Sequence, residues 1–242
     1  MDENTVRKTE GPGDFPARVA SIAALAEPVR RDLYQFVSSQ SEPVSRERAA
    51  AGVGVPVHVA KFHLDKLVAD ALLECDFRRL TGRRGPGAGR PSKVYRRSGR
   101  EVAVSLPERH YELAGRLLAE AVTRSALGGT SVANDLQDAA QTAGSVIGES
   151  VLARAGSEAD PASLQEVIAL ELEDQGYEPR REPDGFVMAN CPFHSLAVEY
   201  TDLVCGMNLD LMRGMLERLD GAGLQARLDP VDGQCCVQLS RR

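Results

Sequence analysis

No stretch of the 242-residue chain approaches the roughly 20 uninterrupted apolar residues of a membrane-spanning helix, so no span is expected. The opening MDENTVRKTEGPGDFP also lacks the apolar run of a secretory signal, which points to the cytoplasm. Thiols stay reduced there, so the five cysteines are not expected to build a disulfide framework. Close cysteine pairs of the zinc-ribbon kind are missing as well. There is no fixed-period repeat, and no Gly-rich oxyanion loop of the kind a thiol hydrolase would need. What remains is a chain long enough for one large or two modest domains. Its hydrophobic share of 43% supports a core without covalent staples.

The net charge of −6 conceals an asymmetry. Between Cys75 and Arg100 nine Lys or Arg face one acidic residue, Asp76, a balance of +8 that leaves −14 for the rest. One concentrated basic segment on an acidic protein fits a nucleic-acid binder that touches phosphate in one place, or else a solvated basic loop.

Residues 1–14, rich in charge, Gly and Pro, are expected to be a disordered tail. From 16 to 38 the pattern is helical, with Pro28 in the first turn of a second helix behind Glu27. SRERAAAG reads as a short helix capped by Ser45 and ended by Gly52. In the following VPVHVAKFHLDKLVADALLE, Ala60, Leu64 and Leu67 form one buried stripe. His58, Lys61, Phe62 and Asp65 fall on the other face. A short helix, a Gly-containing turn and a second helix with a polar, aromatic outer face read as helix-turn-helix. Two strands, near 72–79 and 92–97, flank a Gly, Pro and Arg-rich loop, a β-hairpin wing.

ALAEPVRRDLYQFV, VAKFHLDKLVADALLE and GRPSKVYRR together resemble the winged helix-turn-helix domain of ArsR-like transcriptional regulators, over about residues 16–98. The recognition helix departs from many of these by opening Pro56-Val57-His58. The resemblance implies double-stranded operator DNA as partner. Val57, His58, Lys61 and Phe62 are the expected major-groove residues, and Arg83, Arg84, Arg90 and Lys93 the phosphate or minor-groove residues of the wing.

Two alanine-rich helical patterns follow, near 107–127 and 130–155. Leu113, Leu117, Leu118 and Ala121 stripe the first; Val132, Leu136, Ala139, Ala140, Ala143 and Ile147 stripe the second. Such stripes serve as ordinary core or as a dimer seam, and a homodimer is expected because operators are commonly two-fold. The last third starts with PASLQEVIALELEDQG, a helix between Pro161 and Gly176. Strands near 178–182 and 186–190, a helical segment over 199–221 and two final strands complete it. The expected fold is thus α+β: an N-terminal winged helix-turn-helix over 15–98 behind the 1–14 tail, a helical region over 99–158, and a small antiparallel sheet with helices over 159–242.

Four of the five cysteines, Cys191, Cys205, Cys235 and Cys236, lie in the last 52 residues, at what read as element ends. They are core thiols, or ligands gathered by converging chain ends. Cys75, alone beside the wing, reads as structural. In a strand Cys235 and Cys236 would point to opposite faces, Cys235 with Val237 and Leu239 on the core side. His194 is a candidate ligand or a partner for Cys191.

NCPFHSLAVEYTDLVCGMNLDLMRGMLERL and ARLDPVDGQCCVQL resemble the C-terminal domain of suf-operon repressors (the SufR type), with slightly longer spacings. That resemblance implies an iron–sulfur cluster, [4Fe–4S] or [2Fe–2S], held by Cys191, Cys205 and one of the final pair, with Cys235 expected and Cys236 or His194 as a fourth ligand. Zinc or no metal is the alternative. The chain is therefore expected to be a regulator, and not an enzyme, that senses iron–sulfur, redox or metal status. A regulator answering to a small ligand with structural thiols stands behind it, and a thiol-dependent enzyme further back.

Overall fold

The computed structural model describes residues 15–78, 91–156 and 159–242. The expected tail at 1–14 lies outside them. The chain divides into two compact units, one ending at Val104 and the other starting at Ser105.

In the first unit, α1 (Phe15–Ala24) and α2 (Pro28–Ser38) are separated by a turn at Glu27, whose carboxylate accepts the Val29 and Arg30 amides at 3.2 and 2.6 Å. Those amides have no partner within the helix, so an acceptor there fixes where α2 begins. Strand β1 (Val44–Ser45) runs into α3 (Arg46–Val53), with Ser45 accepting the Arg48 amide at 3.2 Å as its cap. The stop expected at Gly52 falls at Gly54, which takes the left-handed conformation at φ 76°. Gly52 has a different duty: a Cβ there would collide with the Phe36 ring. Helix α4 (Val57–Ala69) follows, then β2 (Leu73–Arg78) and β3 (Ser92–Arg97). The three strands form an antiparallel sheet in the order β1-β3-β2. Leu33, Leu64, Leu67 and Tyr95 are fully buried in the core that joins the helices to this sheet. Each buried leucine contributes about 2 kcal/mol.

The second unit holds α5 (Tyr111–Gly128), α6 (Val132–Ala155), α7 (Pro161–Asp174), β4 (Pro179–Glu182), β5 (Gly185–Met188), α8 (His194–Glu199), α9 (Thr201–Glu217), β6 (Leu224–Leu228) and β7 (Val237–Arg241). Its sheet is antiparallel, in the order β4-β5-β7-β6. The helices expected as a region of their own over 99–158 share one core with the sheet: Leu117, Ala121, Leu136, Ala139 and Ala140 are buried with Ile168, Met212, Val237 and Leu239. Both stripes are therefore spent largely inside the unit, while Val132, at the N-terminus of α6, is exposed.

Helices α6 and α9 approach closely enough to exclude side chains. A Cβ on Gly144 would overlap the Leu211 carbonyl oxygen and lie 2.8 Å from the Met215 amide nitrogen. One on Gly148 would lie 2.6 Å from the Met215 carbonyl, and one on Gly214 would overlap the Gln141 backbone. No helix among the described residues is long and apolar enough to cross a membrane.

Candidate functional site

Two sets of side chains stand out, one in each unit. In the first unit, α4 buries Ala60, Leu64 and Leu67 completely. That leaves His58, Lys61 and Phe62 exposed away from this stripe, as the 3.6-residue period requires, while Val57 is in line with the stripe and is exposed as the first residue of the helix. Phe62 is 66% exposed, with its ring edge-on to His63 at 5.1 Å. His63 turns the other way, its Nδ1 3.4 Å from Glu27 Oε2, and so ties α4 to the start of α2.

On the hairpin, Arg78 pairs with Asp76 at 3.2 Å, and Arg96 with Glu74 at 2.8 Å. Arg83, Arg84 and Arg90 lie outside the described residues. Lys93 is described, and its Nζ rests 2.6 Å from Asp65 Oδ1. Asp65 lies on α4 one turn after Lys61. Cys75 is exposed on β2, across from Tyr95.

In the second unit the four C-terminal cysteines come from three places. Cys191 follows β5 in the turn before α8, and Cys205 lies inside α9. Cys235 and Cys236 sit in the segment leading into β7. Two expectations change here. Cys205 is not at an element end but in the second turn of α9. Cys235 and Cys236 precede the strand, which begins at Val237, so strand alternation does not set their faces apart.

The thiols meet in pairs. Cys191 hydrogen-bonds with Cys235, and Cys205 with Cys236. Cys191, Cys205 and Cys235 are buried and Cys236 half-buried. Among the described residues no three His, Cys, Asp or Glu side chains form a group already arranged to hold a metal ion.

The pairs divide their protons unequally. The hydrogen bond from Cys235, helped by the Phe193 amide and the Arg109 charge, outweighs burial and brings Cys191 down to about 7. Cys235 moves the opposite way, because its proton is shared with Cys191 and its thiol is buried. Burial, then the hydrogen bond with Cys236, pushes Cys205 up to about 12.

Polar groups that sequence reasoning missed surround the thiols. Tyr177 OH donates to Asn208 Oδ1 at 2.6 Å, and Asn208 Nδ2 donates to Cys235 Sγ at 3.3 Å. Arg109 Nη1 donates to the Cys191 carbonyl at 3.2 Å and to Asn190 Oδ1. Asn190 directly precedes Cys191, a signal that was available; nothing in the sequence joins Tyr177 or Arg109 to the cysteines. Cys191 lines a cleft of about 210 Å³ with Arg109, Asn190, His194 and Gln234. His194 is exposed, and among the described residues no hydrogen bond joins its ring to Cys191. A base for a nucleophilic thiol is therefore not in place there.

This geometry carries a labelling prediction. In a Cys75→Ser background, iodoacetamide should modify Cys191 before Cys205 or Cys235, because only the thiolate is nucleophilic. The rate should rise through about pH 7, since the thiolate accumulates as pH passes the lowered value. Peptide mass spectrometry reads the order; Cys235 modified first would contradict the proton assignment.

No curated protein and no solved structure matches the chain. Residues 25–76, from just after α1 into β2, match the family model of a helix-turn-helix domain.

Proposed function

We propose that the protein is a DNA-binding transcriptional regulator whose second unit senses iron–sulfur or metal status through its clustered cysteines. The observation that carries this reading is the pairing of Cys191 with Cys235 and of Cys205 with Cys236, from three separate segments, in a chain with a helix-turn-helix match. The resemblance of residues 190–219 and 226–239 to suf-operon repressors agrees with it.

The donor set fits soft-metal chemistry. Thiolates are the ligands that iron–sulfur clusters and zinc prefer. N–H donors to sulfur, which tune such sites, are present: the Phe193 amide at Cys191, and the Val237 amide and Asn208 at Cys235. Cys191, Cys205 and Cys235 would hold the group, with Cys236 as the fourth ligand. Cys236 is preferred over His194 because it already pairs with Cys205, whereas His194 is exposed. A bound cluster supplies a redox-sensitive bond between segments that are otherwise joined by weak thiol contacts. Before it binds, the Cys191–Cys235 and Cys205–Cys236 hydrogen bonds must open, and bound thiols must lose their protons. Cys191 loses its proton most easily.

At the DNA, Val57, His58, Lys61 and Phe62 face the major groove, with the exposed Phe62 ring suited to a thymine methyl. Arg83, Arg84 and Arg90 hold phosphate or the minor groove. Anaerobic reconstitution followed by iron and sulfide assay tests the sensor. Selection from a random duplex pool tests the reader, and a pool that yields no enriched sequence would remove the regulator assignment.

The working form is a homodimer, since two-fold operators call for two-fold proteins. Val19 and Ile22, exposed on α1, are apolar surface that a partner copy can cover. Sedimentation equilibrium of the full chain at micromolar concentration should give twice the chain mass. A clean monomer rejects the dimer.

A further inference from the structure

Lys93 looks in the sequence like one more phosphate contact on the wing, yet its charge is already committed. Its Nζ lies 2.6 Å from Asp65 Oδ1, and the Tyr95 hydroxyl donates to that same oxygen at 3.1 Å. The ammonium also sits 5.2 Å above the Tyr95 ring. The Lys93 side chain is only 20% exposed, and Tyr95 is wholly buried. Asp65 belongs to α4, whereas Lys93 and Tyr95 belong to β3.

We propose that Asp65, Lys93 and Tyr95 form a clamp that fixes the wing against the recognition helix. Asp65 and Lys93 are then positioning residues for DNA binding and not DNA contacts. The proposal rests on the helix-turn-helix reading above.

Three observations support it. First, Asp65 follows Lys61 by four residues and Phe62 by three, so its carboxylate is a helical neighbour of the groove-facing side chains. A bare carboxylate there repels phosphate. For Lys93 to reach for DNA it must leave that charge unbalanced, so release costs a hydrogen-bonded ion pair and adds a repulsion. Second, Tyr95 anchors the clamp to the sheet, because it pairs with Val44 on β1 and Cys75 on β2. Asp65 is therefore held to the whole three-stranded sheet and not to one flexible lysine. Third, the surrounding charge favours the closed arrangement: the Lys93 hydrogen bond, the Tyr95 hydroxyl and the charge of Arg46 together outweigh desolvation and keep the Asp65 carboxyl below its ordinary range.

The test uses the full chain and a mixed-sequence DNA duplex, with affinity measured by anisotropy over a salt series. The variants are Asp65→Asn, Lys93→Met, the double variant and Tyr95→Phe. Under the clamp, Asp65→Asn and Lys93→Met each weaken binding about ten-fold, as loss of a charged hydrogen bond predicts. The double variant binds no more weakly than either single one, because both remove the same unit. The slope of log affinity against log salt stays at its wild-type value in Lys93→Met, the double variant and Tyr95→Phe. Tyr95→Phe removes only a hydroxyl, so weaker binding at an unchanged slope there cannot come from a lost phosphate contact.

The clamp is overturned if Lys93→Met lowers the slope by about 0.9, the signature of one lost phosphate contact. It is equally overturned if Asp65→Asn binds as tightly as wild type or more so. A wild-type chain that binds no duplex even at low salt is a different failure: it removes the DNA-binding reading itself, and the clamp with it.

Discussion

Gly144→Ala should destabilise the second unit by about 3 kcal/mol, near the top of the range for overpacking, while Gly115→Ala should stabilise it by about 1 kcal/mol. Both glycines are inside helices, so both gain the same helix propensity when a methyl group replaces hydrogen. They differ in what that methyl meets. At Gly115, on α5, there is nothing within 4 Å; at Gly144 the methyl overlaps the Leu211 carbonyl and crowds the Met215 amide of α9. The obstruction is backbone, which cannot rotate aside as a side chain can, so α6 and α9 must separate. Separation loosens Ala140, Leu211 and Met215, all buried in the same core. Urea unfolding followed by circular dichroism reads both variants. Gly144→Ala no less stable than wild type would mean that the close helix crossing does not exist in solution.

Serine at Cys191, Cys205 or Cys235 should abolish iron and sulfide uptake during anaerobic reconstitution, and with it any effect of loading on DNA affinity. If, as proposed, each of the three anchors the same object, loss of one is as damaging as loss of all. Cys236→Ser should lower retention of the cluster, and His194→Ala and Cys75→Ser should leave it intact. The competing account, in which the thiols only fill space, predicts something quite different. Serine would then cost about 1–3 kcal/mol of stability through a poorly satisfied hydroxyl, with DNA binding and its regulation unaltered. Iron and sulfide content beside operator affinity, variant by variant, separates the two. Wild-type protein that takes up neither iron nor zinc would end the metal reading.

Local rules made most elements legible. Pro28 after Glu27, Ser45 before α3 and Pro161 after Asp160 each mark a helix start, because orphan amides need an acceptor and proline needs none at its own nitrogen. The period of Ala60, Leu64 and Leu67 gave both the buried side of α4 and, by difference, its outer face. The errors lie where a non-local partner decides. Helix α8, a six-residue element, follows the Cys191 turn and was not anticipated from its own pattern. The faces of Cys235 and Cys236 depend on β7 starting at Val237; the Cys235 amide instead donates to the Met188 carbonyl at 2.9 Å. The pairing of Lys93 with Asp65 was not legible, because the two are 28 residues apart and no periodicity connects a helix to a strand across that distance.

The crossing of α6 and α9 also decides which parts of the cysteine cluster can move. Cys205 stands nine residues before Gly214 on one helix, about 13 Å along its axis. Where Gly144, Gly148 and Gly214 bring main chain against main chain, α9 can neither roll nor slide past α6 without steric collision. Cys205 is thus mounted on an anvil. Any rearrangement that draws the four sulfurs together must be made by the other two mounts, the turn carrying Cys191 and the segment carrying Cys235 and Cys236. Displacement at the cluster is thereby rectified: it leaves the helical layer at rest and appears as travel of those two segments, at the ends of β5 and β7.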